Sequence, residues 1–78
     1  MTEQQVFEAI LPLIAKKFPK ATNITMDTRI MKDLGADSLD MLDVVTDVER
    51  MFKIEMSDEE VLEVVTIGDA CKVVKKYL

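Results

Sequence analysis

Apolar residues recur along this 78-residue chain at the spacing of amphipathic helices, and no segment alternates apolar and polar residues as a β-strand would. The first such pattern predicts helix I from about residue 3 to residue 18. Thr2 and Gln5 have the spacing of a capping box at its start, and Pro19 follows its end. Pro12 removes one backbone hydrogen bond within this helix, so we expect a kink or a frayed first turn.

Helical periodicity disappears between residues 20 and 36, where turn-forming residues predominate. A connection of this length inside a small chain is usually functional or held in place. We therefore expect a long loop that contains a short helical turn near residues 28 to 34. Four apolar side chains are available to attach this loop to the core, namely Ile24, Ile30, Met31 and Leu34.

Helix II is predicted from Asp37 or Ser38 to about Phe52. Its core face has apolar residues at helical spacing: Met41, Val44, Val45, Val48 and Phe52. The side away from that face carries Leu39, Asp40, Leu42, Asp43, Thr46 and Asp47. Five acids and no base lie between Asp37 and Glu49. An acidic rim around exposed leucines is typical of a surface that attracts basic protein partners.

Two further helices complete the predicted fold. Helix III covers residues 57 to about 63, begins with a capping box and is expected to bury Val61 and Leu62. Helix IV opens at Thr66 and directs one apolar face inward: Ile67, Ala70, Cys71, Val74 and Leu78. The predicted fold class is all-α, a small four-helix bundle of three longer helices and one short helix III, in a single domain over residues 1–78.

The charge and residue content exclude several functions. The formal net charge of −5 argues against nucleic-acid binding, which needs a basic patch. No apolar run approaches the roughly 20 residues of a membrane span, and no secretory signal is recognisable, so we expect a cytoplasmic protein without membrane insertion. The chain contains no histidine and one cysteine, which leaves it without the commonest general base and metal ligand. No metal site is predicted.

Ser38 is the one candidate for chemistry. A serine at a helix start is usually only a cap, but Asp37 is available as the cap and Asp40 as its partner three residues later. Ser38 would then lie in the first turn with its hydroxyl directed outward. A nucleophilic serine needs an adjacent base and an oxyanion hole, and a chain without histidine lacks the usual base. We therefore interpret Ser38 as an acceptor that another enzyme modifies, and the chain as a protein that is not itself an enzyme.

The segment Asp33-Leu34-Gly35-Ala36-Asp37-Ser38-Leu39-Asp40 closely resembles the prosthetic-group attachment motif of the acyl carrier proteins of bacterial type II fatty acid synthesis. The resemblance continues through the acidic helix II, Phe52, residues 56 to 60 and Thr66-Ile67, and so covers essentially the whole chain.

This resemblance implies a function for Ser38. A phosphopantetheinyl transferase would use coenzyme A to attach a 4′-phosphopantetheine arm there, and the thiol of the arm would carry acyl groups as thioesters between enzymes of fatty acid biosynthesis. Growing chains in the family fold back into an apolar cavity between the helices, which Met31 and Met56 could line here.

The resemblance also implies a docking surface on helix II for enzymes with basic patches. The matching positions are Asp37, Leu39, Asp40, Leu42, Asp43, Thr46 and Glu49. Arg50 stands where an acidic residue is common in the family, and Thr46 replaces a more apolar contact, so the choice of partners stays open. We expect the carrier to be a monomer.

Two alternatives remain open on the sequence. One is a stand-alone carrier of a polyketide, non-ribosomal peptide or D-alanine transfer pathway. The other is a helical interaction module that has kept the fold and carries no arm.

Overall fold

A computed structural model describes residues 1–78 and contains four helices. They are α1 (Glu3–Lys17), α2 (Ser38–Phe52), α3 (Asp58–Glu63) and α4 (Ile67–Tyr77). No strand is present, and the single isolated β-bridge joins Arg29 to Thr66. The predicted all-α bundle with one short helix is therefore confirmed. None of the helices is long and apolar enough to cross a membrane.

Every helix begins with a reciprocal capping box. In α1 the Gln5 amide donates to the Thr2 hydroxyl at 3.1 Å, and the Thr2 amide donates to the Gln5 side chain at 2.8 Å. The other three helices repeat this arrangement with the pairs Asp37 and Asp40, Ser57 and Glu60, and Thr66 and Asp69. Because these bonds satisfy first-turn amides that have no partner inside the helix, the local sequence fixes where each helix begins.

Helix α1 runs without interruption from Glu3 to Lys17, although Pro12 lies inside it. Of the two effects expected of Pro12, the frayed first turn is wrong, because the capping box formed by Thr2 and Gln5 holds that turn, and the kink stays a prediction. Pro12 is on the exposed side of the helix, so the carbonyl that loses its hydrogen bond has access to water.

The core consists of fifteen buried residues, and all of them are hydrophobic. Helices α1 and α4 form the most extensive helix–helix contact, and Ile10, Ile14 and Val74 lie among its most completely buried side chains. Cys71 is fully buried in this core. Burial, with a smaller effect from the Glu3 charge, raises the pKa of the Cys71 thiol to about 11. The cysteine therefore acts as a small buried hydrophobe, as predicted.

Three apolar residues that were assigned to the core are exposed instead. Leu62 is 83% exposed, because α3 has only six residues and neighbouring side chains diverge by about 100°, so that Val61 alone packs against the core. Leu78 is 56% exposed, because α4 ends at Tyr77 and the final residue lies beyond its last turn. Met31 is 48% exposed and lies on the surface beside Ser38.

The long loop is attached by backbone hydrogen bonds to the segment that precedes α4 and to the first turn of α4. The Ile30 amide donates to the Val65 carbonyl at 3.0 Å, and the Gly68 amide donates to the Met26 carbonyl at 2.8 Å. A Cβ atom at residue 68 would lie 2.9 Å from that Met26 oxygen, so only glycine permits this approach. The predicted helical turn is present, since the Asp33 amide donates to the carbonyl of residue 29 at 2.8 Å.

Glu60 connects the short helix α3 to α4. Its carboxylate accepts a hydrogen bond from the Ser57 amide at 3.0 Å and another from the Tyr77 hydroxyl, and the Lys76 ammonium lies 3.4 Å away. The Tyr77 hydrogen bond, followed by the Ser57 amide, lowers the pKa of Glu60 from 4.5 to about 2.

The depressed pKa of Glu60 predicts part of the acid sensitivity of the fold. Its carboxylate stabilises the folded state fully above about pH 4.5 and loses that contribution as the pH falls toward 2. Glu60→Gln should therefore lower the free energy of unfolding at pH 7, and the gap to the wild type should close as the pH approaches 2. Urea titrations at several pH values measure this gap.

Glu59→Gln is the matched control, because Glu59 lies on the same helix, is exposed and forms no hydrogen bond through its side chain. If the difference in free energy of unfolding between Glu60→Gln and the wild type stays constant with pH, the lowered pKa of Glu60 is contradicted.

Candidate functional site

The site begins with the turn that leads into α2. Gly35 has a φ of +74°, in the left-handed region that glycine adopts without strain. The next residue, Ala36, is buried and anchors the turn to the core. Asp37 is the N-cap of α2: its Oδ1 accepts a hydrogen bond from the Asp40 amide at 2.8 Å, and its own amide donates to Asp40 Oδ2 at 3.2 Å.

Because Asp37 caps the helix, Ser38 is its first residue and is exposed. The Ser38 hydroxyl makes no hydrogen bond within the chain, and the amides of Ser38 and Leu39 have no acceptor. A hydroxyl beside two free amides at a helix N-terminus suits a phosphate ester, although the carboxylates of Asp37 and Asp40 oppose it electrostatically. The residues present therefore fit a phosphopantetheine group on Ser38.

Most of the predicted docking residues form one exposed surface around Ser38. Leu39 is 71% exposed and Leu42 is 55% exposed, which places two apolar side chains in solvent. The polar members of this surface are also exposed, namely Asp37, Asp40, Asp43 and Thr46. We call these six residues the α2 docking face.

Glu49 does not share that exposure. It is half-buried, and its Oε2 accepts a hydrogen bond from the Met56 amide at 2.7 Å. This contact joins α2 to the segment before α3, where the backbone amide would otherwise have no partner. The carboxylate that the family resemblance assigned to docking therefore has a structural contact in this chain.

Near the far end of α2, basic side chains neutralise the acidic charge. Asp47 forms an ion pair with Lys17 of α1 at 2.8 Å, and this hydrogen bond lowers the pKa of the Asp47 carboxyl below its usual value. Arg50 lies 3.9 Å from the same carboxylate and is largely exposed. The negative field of α2 is therefore concentrated at the end that carries Ser38.

An apolar groove of about 400 Å³ opens beside Ser38. One side comes from α2 and the loop, and the other comes from α3 and the residue that follows it. Its lining consists of Met31, Ser38, Met41, Leu42, Val61, Leu62 and Val64.

The sequence reasoning missed the part that Leu62 plays in this groove, because Leu62 was assigned to the core. A usable signal was present, since Val61 and Leu62 are adjacent and a one-and-a-half-turn helix cannot direct both inward.

The cavity expected between the helices is almost closed. A space of about 10 Å³ lies inside the bundle, enough for about one water molecule. Met56 lines this space, as the resemblance implied, whereas Met31 lines the external groove. Met41 and Val64 border both the internal space and the groove.

Comparison with known proteins agrees with this geometry. The family model for a phosphopantetheine attachment site matches residues 8–74. The acyl carrier protein of Lactobacillus acidophilus is 36% identical over 78 residues, covering 99% of this chain and 98% of the relative. The acyl carrier protein of Clostridium acetobutylicum is 40% identical over 73 residues, covering 92% and 95%.

Solved structures agree as well. A putative acyl carrier protein from Mycobacterium tuberculosis superimposes with a TM-score of 0.86 at 29% identity and covers 94% of this chain and 99% of its own. The acyl carrier protein from Enterococcus faecalis gives a TM-score of 0.80 at 30% identity, covering 97% and 98%.

Fold and comparisons together define the class as a small helical protein with a phosphopantetheine attachment site. Within that class, the chain belongs to the acyl carrier protein family, which confirms the resemblance seen in the sequence. Members of this family are carriers and not enzymes, so the covalent chemistry belongs to the arm and to partner enzymes.

The hydrogen bond between the Met56 amide and Glu49 predicts a structural contribution of Glu49 that can be measured. Glu49→Ala should lower the free energy of unfolding by about 1–2 kcal/mol, because it leaves the Met56 amide without its charged acceptor. Thr46→Ala, one turn earlier on the exposed surface, should change it by less than about 0.5 kcal/mol. Urea denaturation of both variants measures the difference, and equal stability for the two would show that the contact contributes nothing.

Proposed function

We propose that this protein carries acyl groups as thioesters on a 4′-phosphopantetheine arm attached to Ser38, and that it moves them between enzymes of fatty acid biosynthesis in the cytoplasm. The observation that supports this most directly is the free Ser38 hydroxyl at the start of α2, where Asp37 has taken over the capping role. When attached, the arm supplies the terminal thiol that holds the acyl group.

Attachment would need a separate phosphopantetheinyl transferase. In that step a bond forms between Ser38 Oγ and the β-phosphorus of coenzyme A, the pyrophosphate linkage breaks, the nucleotide part leaves and the serine proton is released. No base is hydrogen-bonded to the Ser38 hydroxyl, and the chain contains no histidine, so the partner enzyme must accept that proton.

The α2 docking face suits enzymes with basic patches. Asp40 and Asp43 would attract a basic surface, while Leu39 and Leu42 offer apolar contact once it arrives. Such an arrangement accelerates encounter more than it strengthens the complex, which suits a monomeric shuttle that must visit many enzymes and leave each of them.

The intact mass of the purified, unmodified protein tests attachment directly. Incubation with coenzyme A and a phosphopantetheinyl transferase should add the mass of one arm to the wild type and nothing to Ser38→Ala. Ser57→Ala is the matched control and should retain the gain, since Ser57 is also at a helix start but is the N-cap, and its hydroxyl accepts a hydrogen bond from the Glu60 amide.

A folded wild-type protein that gains no mass would instead favour the unmodified interaction module. Loading by amino-acid-activating enzymes alone, with no transfer from a malonyl transferase, would favour a carrier of another pathway.

Electrostatic attraction at the docking face gives a second test. Asp40→Asn together with Asp43→Asn should lower kcat/KM for arm transfer roughly tenfold at low salt and should weaken its salt dependence. Asparagine at residue 40 keeps an oxygen for the Asp37 amide, so the helix start is preserved. The double variant Glu8→Gln and Asp27→Asn has the same net charge and should react like the wild type. Equal values of kcat/KM for both double variants would show that the α2 docking face takes no part in recognition by the transferase.

A further inference from the structure

Helix α3 is the least firmly packed helix of the bundle. None of the residues from Asp58 to Glu63 is buried, although Val61 packs against the edge of the core. The segments on both sides are fixed more firmly. Before α3 the Met56 amide donates to Glu49 at 2.7 Å, and after it the Val65 carbonyl accepts from Ile30 at 3.0 Å. The helix is therefore a short span between two anchors.

One residue makes all the polar contacts between α3 and another helix. Glu60 accepts a hydrogen bond from the Tyr77 hydroxyl, and Lys76 pairs with its other oxygen at 3.4 Å. Tyr77 and Lys76 lie in the last turn of α4, which packs firmly against α1. We call this set of contacts the Glu60 tie. It links the loosely packed α3 to the exposed last turn of α4, the helix that shares the most extensive contact with α1.

The Val61 and Leu62 side chains of α3 form one wall of the groove beside Ser38. Opposite them lie Met41 and Leu42 of α2. The internal space of about 10 Å³ borders Met41 and Val64, whereas the groove of about 400 Å³ opens directly at Ser38, so an apolar chain carried by the arm meets the groove first. The position of α3 therefore determines how wide that space is.

We propose that Glu60 and Tyr77 are positioning residues that hold α3 beside α2 and thereby set how well a long acyl chain is shielded from water. This inference rests on the proposed attachment of the arm to Ser38. An acetyl group has little apolar surface to offer the groove, whereas an octanoyl chain is long enough to contact its leucines, Leu42 and Leu62. Loosening the tie would then expose long chains and leave short ones unchanged.

Amide hydrogen exchange in the unmodified protein tests the tie without any arm. Tyr77→Phe removes only the hydroxyl, and it should accelerate exchange of the α3 amides about fivefold, the effect of losing one typical hydrogen bond on a solvent-exposed surface. The amides of α1 should exchange as in the wild type. Lys75→Gln is the matched control, because Lys75 is exposed on the same turn and its side chain has no partner.

Chemical cleavage of the loaded protein tests the shielding. The wild type, Tyr77→Phe and Lys75→Gln are loaded at Ser38 with acetyl or octanoyl arms, and the rate of thioester cleavage by hydroxylamine is measured for each. Hydroxylamine should cleave the octanoyl thioester on Tyr77→Phe about fivefold faster than the one on the wild type. The acetyl thioester should be cleaved at the same rate on both proteins. Glu60→Gln keeps an acceptor for the Tyr77 hydroxyl, so its octanoyl cleavage rate should lie between the rates of the wild type and Tyr77→Phe.

The outcomes separate the two proposals. Unchanged α3 exchange, or acceleration throughout the chain, would overturn the Glu60 tie whether or not Ser38 accepts an arm. Equal acceleration of acetyl and octanoyl cleavage would overturn the shielding. Absence of any arm on Ser38 would overturn the proposed function and with it the link to acyl chains, while the exchange result would still decide whether the tie holds α3.

Discussion

The structure depends on how each helix satisfies the amides of its first turn. Four side-chain oxygens accept hydrogen bonds from residues three positions later, and four side chains at those positions return the bond. At α2 this exchange has a functional consequence. Since the carboxylate of Asp37 serves as the cap, the neighbouring Ser38 hydroxyl has no structural duty and is free in solvent. The same pair, Asp37 and Asp40, supplies negative charge around the serine.

The two ends of α2 differ in their net charge. Acids without basic partners surround Ser38, whereas Asp47 is neutralised by Lys17 and Arg50 near the other end. The unpaired negative charge of α2 is therefore concentrated at the end that carries Ser38. The ion pair with Lys17 also connects α1 to α2, which share fewer contacts than α1 and α4 do. The Asp47 carboxylate thus helps to hold α1 against α2 and also leaves this end of α2 less negative than the end that carries Ser38.

Stability is distributed unevenly among the four helices. The contact between α1 and α4 supplies a dry apolar core, and no polar side chain is buried there. Helix α3 adds almost no buried area and is held by carboxylates, Glu49 before it and Glu60 within it. Weakly packed elements open at low free-energy cost, and such elements commonly border sites that must admit a ligand. The weakly packed α3 forms one wall of the groove beside Ser38.

The sequence alone determined the helices, their starts and the candidate serine, because capping and hydrophobic periodicity act between residues three or four positions apart. Asp37, Asp40 and Ser38 could be placed in this way. Only the tertiary structure decided the roles of Glu49, Glu60 and Leu62. Glu49 bonds to an amide seven residues away, Glu60 to a tyrosine seventeen residues away, and Leu62 borders a groove whose other wall is α2. These contacts depend on how separate segments pack, which no local pattern encodes.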